Sequence, residues 1–189
     1  MRAIRKIADW RYRFLLRWHC WDKGNAVFFT ALPLPLVLLG YLIHLAHADY
    51  RGIQAERQRR AELICLAENI YFEARGEPLA GQYAVAEVTM NRVASPLFPD
   101  SVCEVVHEKR WDAIRNRFVG AFSWTELPVM DRPRGPAWDR ALEAAETVYS
   151  DDDRSRVGGA LFYHATHIEP SWAKTMEQVA TIGQHAFYR

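Results

Sequence analysis

Apolar residues recur at helical spacing in the segment from about Ala61 to Arg75. One face of this segment carries Leu63, Ala67, Ile70 and Ala74. Because residues three or four positions apart share one side of a helix, the pattern predicts a helix with a buried face. Gly76 stands where helices commonly end, and Pro78 prevents continuation beyond it.

Further elements follow along the chain. Helices are predicted over residues 79–93 and 135–150, and the motif SVCE at 101–104 is a capping box that begins a short helix to about residue 108. Periodicity is lost between Lys109 and Arg134, which predicts a long loop that could contain short strands. The stretches ALFYHAT and VATIGQHAFYR predict a strand and a strand or hairpin, separated by a short helix in PSWAKTMEQ. The predicted fold is mainly α with a small β element (α+β).

The N-terminal part has a different pattern. Ala26–Ala46 contains no charged residue, and residues 1–24 carry seven Lys or Arg against two Asp. This predicts a basic cytoplasmic segment (1–24), a transmembrane helix or uncleaved signal anchor (25–47), a juxtamembrane stalk (48–61) and an extracytoplasmic domain (62–189). The motif AHA at 46–48 also fits a signal-peptidase site, but the long basic region before it favours a retained anchor.

The charge distribution and the cysteines limit the classes of ligand and partner that the chain can be expected to bind. The net charge of +1 comes from the basic N-terminus, so the rest of the chain lacks the basic surplus of a nucleic-acid-binding domain. The three cysteines have no metal-ligand spacing. On the predicted topology Cys65 and Cys103 lie in an oxidising compartment, where a disulfide and two separate buried thiols are both open interpretations.

The candidate chemistry centres on Glu73, which follows Tyr71 and Phe72 in the last turn of the first predicted helix. The negative end of the helix dipole and aromatic surroundings both raise a carboxyl pKa, as a general acid requires. The alternative is a surface carboxylate paired with Arg75 or Arg92. Glu77 is interpreted as a second carboxylate or a helix-start charge, and Glu87 as a surface charge or a more distant second carboxylate.

Histidines offer a competing site. His164 and His167, with His185 and Glu169, have the residue types of a zinc site. However, His164 and His167 would point to opposite faces of a strand, and no H-E-x-x-H helix is present. We therefore predict no metal and no cofactor, although His164 could still contact a polar ligand.

Several blocks of the chain resemble the cell wall hydrolase family of the spore cortex-lytic enzymes, in the order LAENIYFEARGEPLAGQYAVAEVTMNRV, FPDSVCEVV, FSW, GALFYHA, PSWA and IGQHAFYR. The resemblance covers about Leu63 to Arg189. It implies a lysozyme-like domain that cuts peptidoglycan glycan strands, with Glu73 as the catalytic acid. Both Cys65 and Cys103 lie in the part of the chain that the resemblance covers, so we predict that they are close enough to pair. The candidate substrate-binding residues are Glu77, Phe122, Ser123, Tyr163, His164 and His185.

The resemblance and the single evident acid together indicate a lytic transglycosylase that cleaves the MurNAc–GlcNAc β-1,4 bond and leaves 1,6-anhydro-MurNAc ends. The predicted location is the inner membrane, with one N-terminal span and the catalytic domain periplasmic. Family members often have Gln where this chain has Ala121. An inactive, membrane-anchored peptidoglycan-binding protein is therefore one alternative, and a metal-dependent peptidoglycan amidase is another.

Overall fold

The computed structural model describes residues 33–113, 115–127, 133–152 and 155–189. The chain divides into two compact units, Met1–Ala55 and Glu56–Arg189. Helix α1 (Pro33–Ala74) contains the predicted stalk, and its apolar residues between Leu34 and Leu45 are exposed. The predicted domain boundaries themselves stay predictions.

The predicted transmembrane helix is not supported. Among the described residues, no helix is both long enough and apolar enough to cross a membrane. The predicted span starts in residues 25–32, which lie outside the described residues.

The core of the second unit is built on helix α2 (Leu79–Val93), which is buried along most of its length. One side of α2 packs against α1, the short helix α3 (Val102–Val106) and helix α4 (Pro136–Tyr149). Its other side contacts the sheet through Ala84 and Val88, which pack against Phe187. Small residues such as Ala84 and Ala86 allow both layers to approach the helix closely.

Two antiparallel sheets complete the unit. Strands β1 (Lys109–Asp112) and β2 (Arg117–Gly120) form a hairpin, followed by a 3₁₀ helix, Ser123–Glu126. Strands β3 (Phe162–Ala165), β4 (Gln178–Ile182) and β5 (His185–Tyr188) form the second sheet in the order β3–β5–β4. A second 3₁₀ helix, Ser171–Thr175, lies between β3 and β4.

Pairing fixes which side chains of the second sheet share a face. Tyr163 lies opposite Phe187, and Ala165 lies opposite His185. Directly opposed residues project to the same side, and adjacent residues project to opposite sides. Tyr163, His185 and Phe187 therefore occupy one face, while His164 occupies the other.

Several local predictions are confirmed. Helix α2 has the predicted bounds, and α1 ends at Ala74, just before the predicted glycine break. Ser101 caps α3, its hydroxyl accepting the Glu104 N–H at 3.3 Å. At the end of α2, Asn91 Nδ2 donates to the Ala160 carbonyl at 3.1 Å and Arg92 Nε to the Leu161 carbonyl at 2.8 Å. These two bonds tie α2 to the segment that leads into β3.

The interpretation of Glu87 as a surface charge or second carboxylate is wrong. Its side chain is 0% exposed, and its Oε1 accepts the Val157 N–H at 3.0 Å. Its Oε2 faces the backbone N–H and the guanidinium of Arg156, each at 3.3 Å. Burial of a carboxylate is costly unless such partners replace water. Glu87 therefore fastens α2 to the segment before β3 and has a structural role.

The predicted disulfide is present. Cys65 in α1 and Cys103 in α3 are bonded, with their Cα atoms 5.2 Å apart and a sequence separation of 38 residues. The bridge therefore fixes the short helix α3 to the long helix α1.

We expect Cys103→Ser to lower the free energy of unfolding by about 2–4 kcal/mol, because a loop of this length loses its constraint in the unfolded chain. Denaturant titration measures the change, with Cys20→Ser as the matched control that keeps the bridge. Thiol counting of the oxidised, denatured chain should find one reactive thiol. Three thiols, or an unchanged unfolding midpoint in the Cys103→Ser protein, would show that the bridge does not form.

Candidate functional site

The candidate site is built around Glu73, which lies in the last turn of α1. The helix ends at Ala74, and the Glu77 N–H donates back to the Ala74 carbonyl at 2.9 Å. The chain then turns through Gly76 and Pro78 into α2. This break leaves Glu73 at the carbonyl end of the helix, where the dipole disfavours a negative charge.

Glu73 is half-buried, and its Oε2 accepts a hydrogen bond from the Tyr163 hydroxyl at 3.2 Å. Burial raises the pKa of Glu73 above its ordinary value, whereas the Tyr163 hydrogen bond and the positive charge of Arg92 partly oppose that rise. The carboxyl therefore keeps its proton to a higher pH than a surface glutamate, as a general acid must.

Tyr163 reaches Glu73 from β3, across 90 positions of sequence. Burial, together with the neighbouring charge of Glu73, raises the pKa of Tyr163 well above its ordinary value. The phenol consequently stays neutral at physiological pH and can act as a hydrogen-bond donor to the carboxylate. Its ring also meets the His185 ring edge-on at 5.3 Å.

Arg92 supplies the positive charge near Glu73 and lies almost completely inside the domain. Its guanidinium is held over the rings of Phe98 and Phe122, each at 5.2 Å. Burial lowers the pKa of Arg92, although an arginine remains protonated throughout the physiological range. The positive charge of Arg92 therefore stabilises the charged form of the Glu73 carboxyl.

Glu77 lies in the break between α1 and α2, and its side chain is only 7% exposed. Its Oε2 accepts the Gln184 N–H at 2.9 Å, and its Oε1 lies 3.8 Å from His185 Nδ1. The turn approaches so closely at Gly183, with φ of 58°, that a Cβ there would collide with the carboxylate. Glu77 therefore holds the β4–β5 turn, a role that sequence alone did not distinguish from a helix-start charge.

His185 completes the buried end of the site. Burial lowers its pKa, opposed by Glu77 and reinforced by His164 and His167. Its Nδ1 is buried without a hydrogen-bond partner in the structure. The imidazole thus contacts both the Tyr163 ring and the Glu77 carboxylate.

An aromatic wall adjoins Glu73 in sequence. Phe72 stacks on Trp124 with ring centres 4.6 Å apart, and the Trp124 indole N–H donates to Asn69 Oδ1 at 3.1 Å. Asn69 lies one helical turn before Glu73 and donates to Thr89 Oγ1 at 3.1 Å, so its orientation is fixed. The sequence analysis did not predict Asn69 as a site residue. Its one sequence signal is that it lies four positions before Glu73, on the same face of the helix.

Three other predicted substrate-binding residues lie elsewhere. Phe122 is 4% exposed and packs in the helical core, so its ring is not available for stacking on a sugar. Ser123 is exposed at the start of the first 3₁₀ helix. His164 projects to the face of the sheet opposite Tyr163, where its Nε2 contacts the Tyr188 hydroxyl at 2.9 Å.

The histidine alternative has no geometric support. Within residues 33–189, masked positions aside, no group of three or more His, Cys, Asp or Glu is arranged to hold a metal ion. His164 and His185 lie on opposite faces of the sheet, and His167 is exposed. The predicted cluster of His164, His167 and His185 therefore does not converge on one point.

We expect Tyr163→Phe to raise the pKa of Glu73 further, because the variant removes the hydrogen bond that favours the charged carboxylate. Carbon-13 NMR of labelled glutamate side chains measures the titration directly. Tyr149→Phe, on the far end of α4, is the matched control. A Glu73 pKa that falls or stays unchanged in the Tyr163→Phe protein would contradict the described role of the phenol.

The cell wall hydrolase family model matches residues 76–188, so Glu73 lies just before the matched segment. The spore cortex-lytic enzyme of Bacillus subtilis is 58% identical over 127 residues, which cover 67% of this chain and 37% of that protein. The corresponding enzyme of Oceanobacillus iheyensis is 39% identical over 131 residues, covering 67% and 41%. The chain thus spans about two fifths of the length of these relatives.

Two solved structures are also similar. The catalytic domain of the Bacillus cereus SleB protein has 31% identity and a TM-score of 0.48, covering 69% of this chain and 91% of that one. The catalytic domain of the germination-specific lytic transglycosylase SleB from Bacillus anthracis has 32% identity and a TM-score of 0.47, covering 68% and 93%.

Proposed function

This chain belongs to the cell wall hydrolase family, and from that premise we propose that it cleaves the glycan strands of peptidoglycan with Glu73 as its acid. The observation that carries the proposal is the half-buried carboxyl of Glu73, held by Tyr163 and facing Arg92. Its pKa is raised by burial, and an acid of this kind can protonate a glycosidic oxygen at neutral pH.

The proposed reaction is a lytic transglycosylation at the MurNAc–GlcNAc β-1,4 bond. Glu73 donates its proton to the glycosidic oxygen, the bond from that oxygen to MurNAc C1 breaks, and C1 develops oxocarbenium character. The Glu73 carboxylate then accepts the proton of the C6 hydroxyl of the same MurNAc. The C6 oxygen bonds to C1 and forms a 1,6-anhydro ring. The attack is intramolecular, which removes the entropic cost of bringing a water molecule to C1.

The contacts of the other carboxylates support a mechanism with one acid. A hydrolytic glycosidase ordinarily uses two carboxyl groups that flank the bond. Glu77 is almost completely buried and accepts the Gln184 N–H, and Glu87 is fully buried against Arg156 and Val157. Both candidates that sequence proximity suggested are therefore engaged in holding the fold.

The surroundings of Glu73 support both of its proposed roles, as acid in the first proton transfer and as base in the second. When Glu73 has given up its proton, the phenol donates to the carboxylate and the guanidinium offsets its charge. When the proton returns from the C6 hydroxyl, burial of the site favours the neutral acid. One residue can thus serve as acid and then as base because its surroundings support both forms.

We also propose that the enzyme acts outside the cytoplasm. Disulfides persist in oxidising compartments and are rare in the cytosol of most organisms, so the Cys65–Cys103 bridge favours an extracytoplasmic location. The inner-membrane location stays a prediction of the sequence. Fractionation of cells that express the full chain with a C-terminal tag tests the location, and recovery in the cytosolic fraction would contradict it.

The experiment that tests the proposed activity is digestion of purified, insoluble peptidoglycan by the full chain. We expect soluble muropeptides with their peptides still attached, at a rate that EDTA does not change. Free stem peptides, or activity lost with EDTA and restored by zinc, would instead indicate an amidase. Binding to the polymer without release of fragments would indicate the inactive binding protein for which Ala121 is the motivation.

A further inference from the structure

The β1–β2 hairpin presents two large aromatic side chains to solvent. Trp111 lies directly opposite Phe118, and the two rings meet edge-on with their centres 5.3 Å apart. Trp111 is 55% exposed and Phe118 is 61% exposed. Opposed residues of an antiparallel pair share a face, so both rings form one patch, here called the aromatic face of the hairpin. Contiguous exposed apolar surface of this kind is typical of a binding site.

The other face of the hairpin is fastened to the domain. The Arg110 guanidinium lies 4.6 Å from the centre of the Phe98 ring and pairs with Glu108 at 2.7 Å. Arg117 pairs with Glu126 at 2.8 Å. Because adjacent residues of a strand point to opposite sides, these contacts lie on the face opposite Trp111 and Phe118.

The hairpin leads along the chain into Trp124, whose ring stacks on Phe72 beside Glu73. At the last residue of β2, Gly120 packs so closely on Thr125 that a Cβ at this position would collide with the Thr125 side chain. The chain then enters the 3₁₀ helix that carries Trp124, whose indole stacks on Phe72 next to Glu73. This connection fixes the hairpin to the segment that lines the candidate site.

We propose that the aromatic face of the hairpin binds the glycan strand outside the bond that is cleaved, with the Trp111 and Phe118 rings stacked on the apolar faces of sugar rings. The inference rests on the proposed function, since the polymer cleaved at Glu73 extends beyond the reacting pair of sugars. Lys109 lies on the same face of the ribbon as Trp111 and is exposed. Its charge complements the carboxylates of the stem peptides carried by such a strand.

The test measures binding apart from cleavage. The Glu73→Gln chain is sedimented with insoluble peptidoglycan, with and without Trp111→Ala and Phe118→Ala together. We expect the double substitution to weaken binding by about tenfold or more, as for other aromatic anchors. Ile168→Ala, which truncates an equally exposed apolar side chain on the β3–β4 connection, is the matched control and should bind normally. Trp111→Tyr retains a ring and should keep most of the affinity.

Activity provides the second readout. In the chain with Glu73 intact, the double substitution should lower kcat/KM on the polymer and leave turnover of short soluble fragments unchanged. Equal binding of the polymer by both proteins would overturn the proposal. Binding of phospholipid vesicles through the aromatic face, without binding of peptidoglycan, would also overturn it. If the parent chain cleaves no peptidoglycan but its binding still depends on Trp111, the proposed reaction is rejected and the proposed binding surface is retained.

Discussion

Glu73→Gln is expected to abolish glycan cleavage while the domain stays folded. Gln has nearly the same shape and can still accept the Tyr163 hydrogen bond, but it has no acidic proton to donate. General acid–base groups typically contribute about 10²–10⁴-fold in rate. Because one group here would serve both proton transfers, the loss should lie at the upper end, at about 10⁴-fold or beyond.

The controls separate chemistry from folding. Glu146→Gln changes an exposed carboxylate on α4 and should cleave at the parent rate. Glu77→Gln should lose less activity than Glu73→Gln, because Glu77 holds a turn and does not donate the proton. Thermal unfolding of each protein must accompany the assay. A folded Glu73→Gln protein that releases muropeptides at close to the parent rate would remove Glu73 from the mechanism.

Glu87→Ala is expected to cause a large loss of stability although Glu87 lies away from the site. It leaves the buried Val157 N–H without an acceptor, removes one partner of Arg156 and opens a cavity beside α2. A buried donor left unsatisfied costs about 1–3 kcal/mol, and the cavity adds to that cost. We therefore expect a decrease of about 3 kcal/mol in the free energy of unfolding, as the sum of these two effects.

Denaturant titration measures this change, with Glu146→Ala as an exposed control of the same size. The folded fraction of the Glu87→Ala protein should cleave at the parent rate, because Glu87 does not contact the site. A change in unfolding midpoint no greater than that of Glu146→Ala would show that the buried contacts of Glu87 contribute little to stability.

Local features of the fold could be predicted because their causes lie close together in sequence. The period of apolar residues fixed the extent of α2, and the Gly76–Pro78 break placed the end of α1. The Ser101 cap needs only the residue three positions later. For the same reason Glu73 could be singled out, since the helix end and its aromatic neighbours surround it directly.

Features that depend on distant residues could not be predicted from spacing. Glu73 and Tyr163 are brought together across 90 positions. Glu87 has the sequence context of a surface charge, and only its contacts with Arg156 and Val157 distinguish it as buried. The β1–β2 hairpin was missed as a defined element because its aromatic face is exposed, so no buried face produces a regular pattern of apolar residues.

The most direct test of the central claim is digestion of purified peptidoglycan in water enriched in oxygen-18, followed by mass spectrometry of the released muropeptides. If Glu73 acts alone and the C6 hydroxyl attacks C1, the new MurNAc ends will be one water lighter than reducing ends and will contain no oxygen-18. The Glu73→Gln chain will release none of these products. New reducing ends that carry oxygen-18 at C1 would show that water is the nucleophile and would contradict the account.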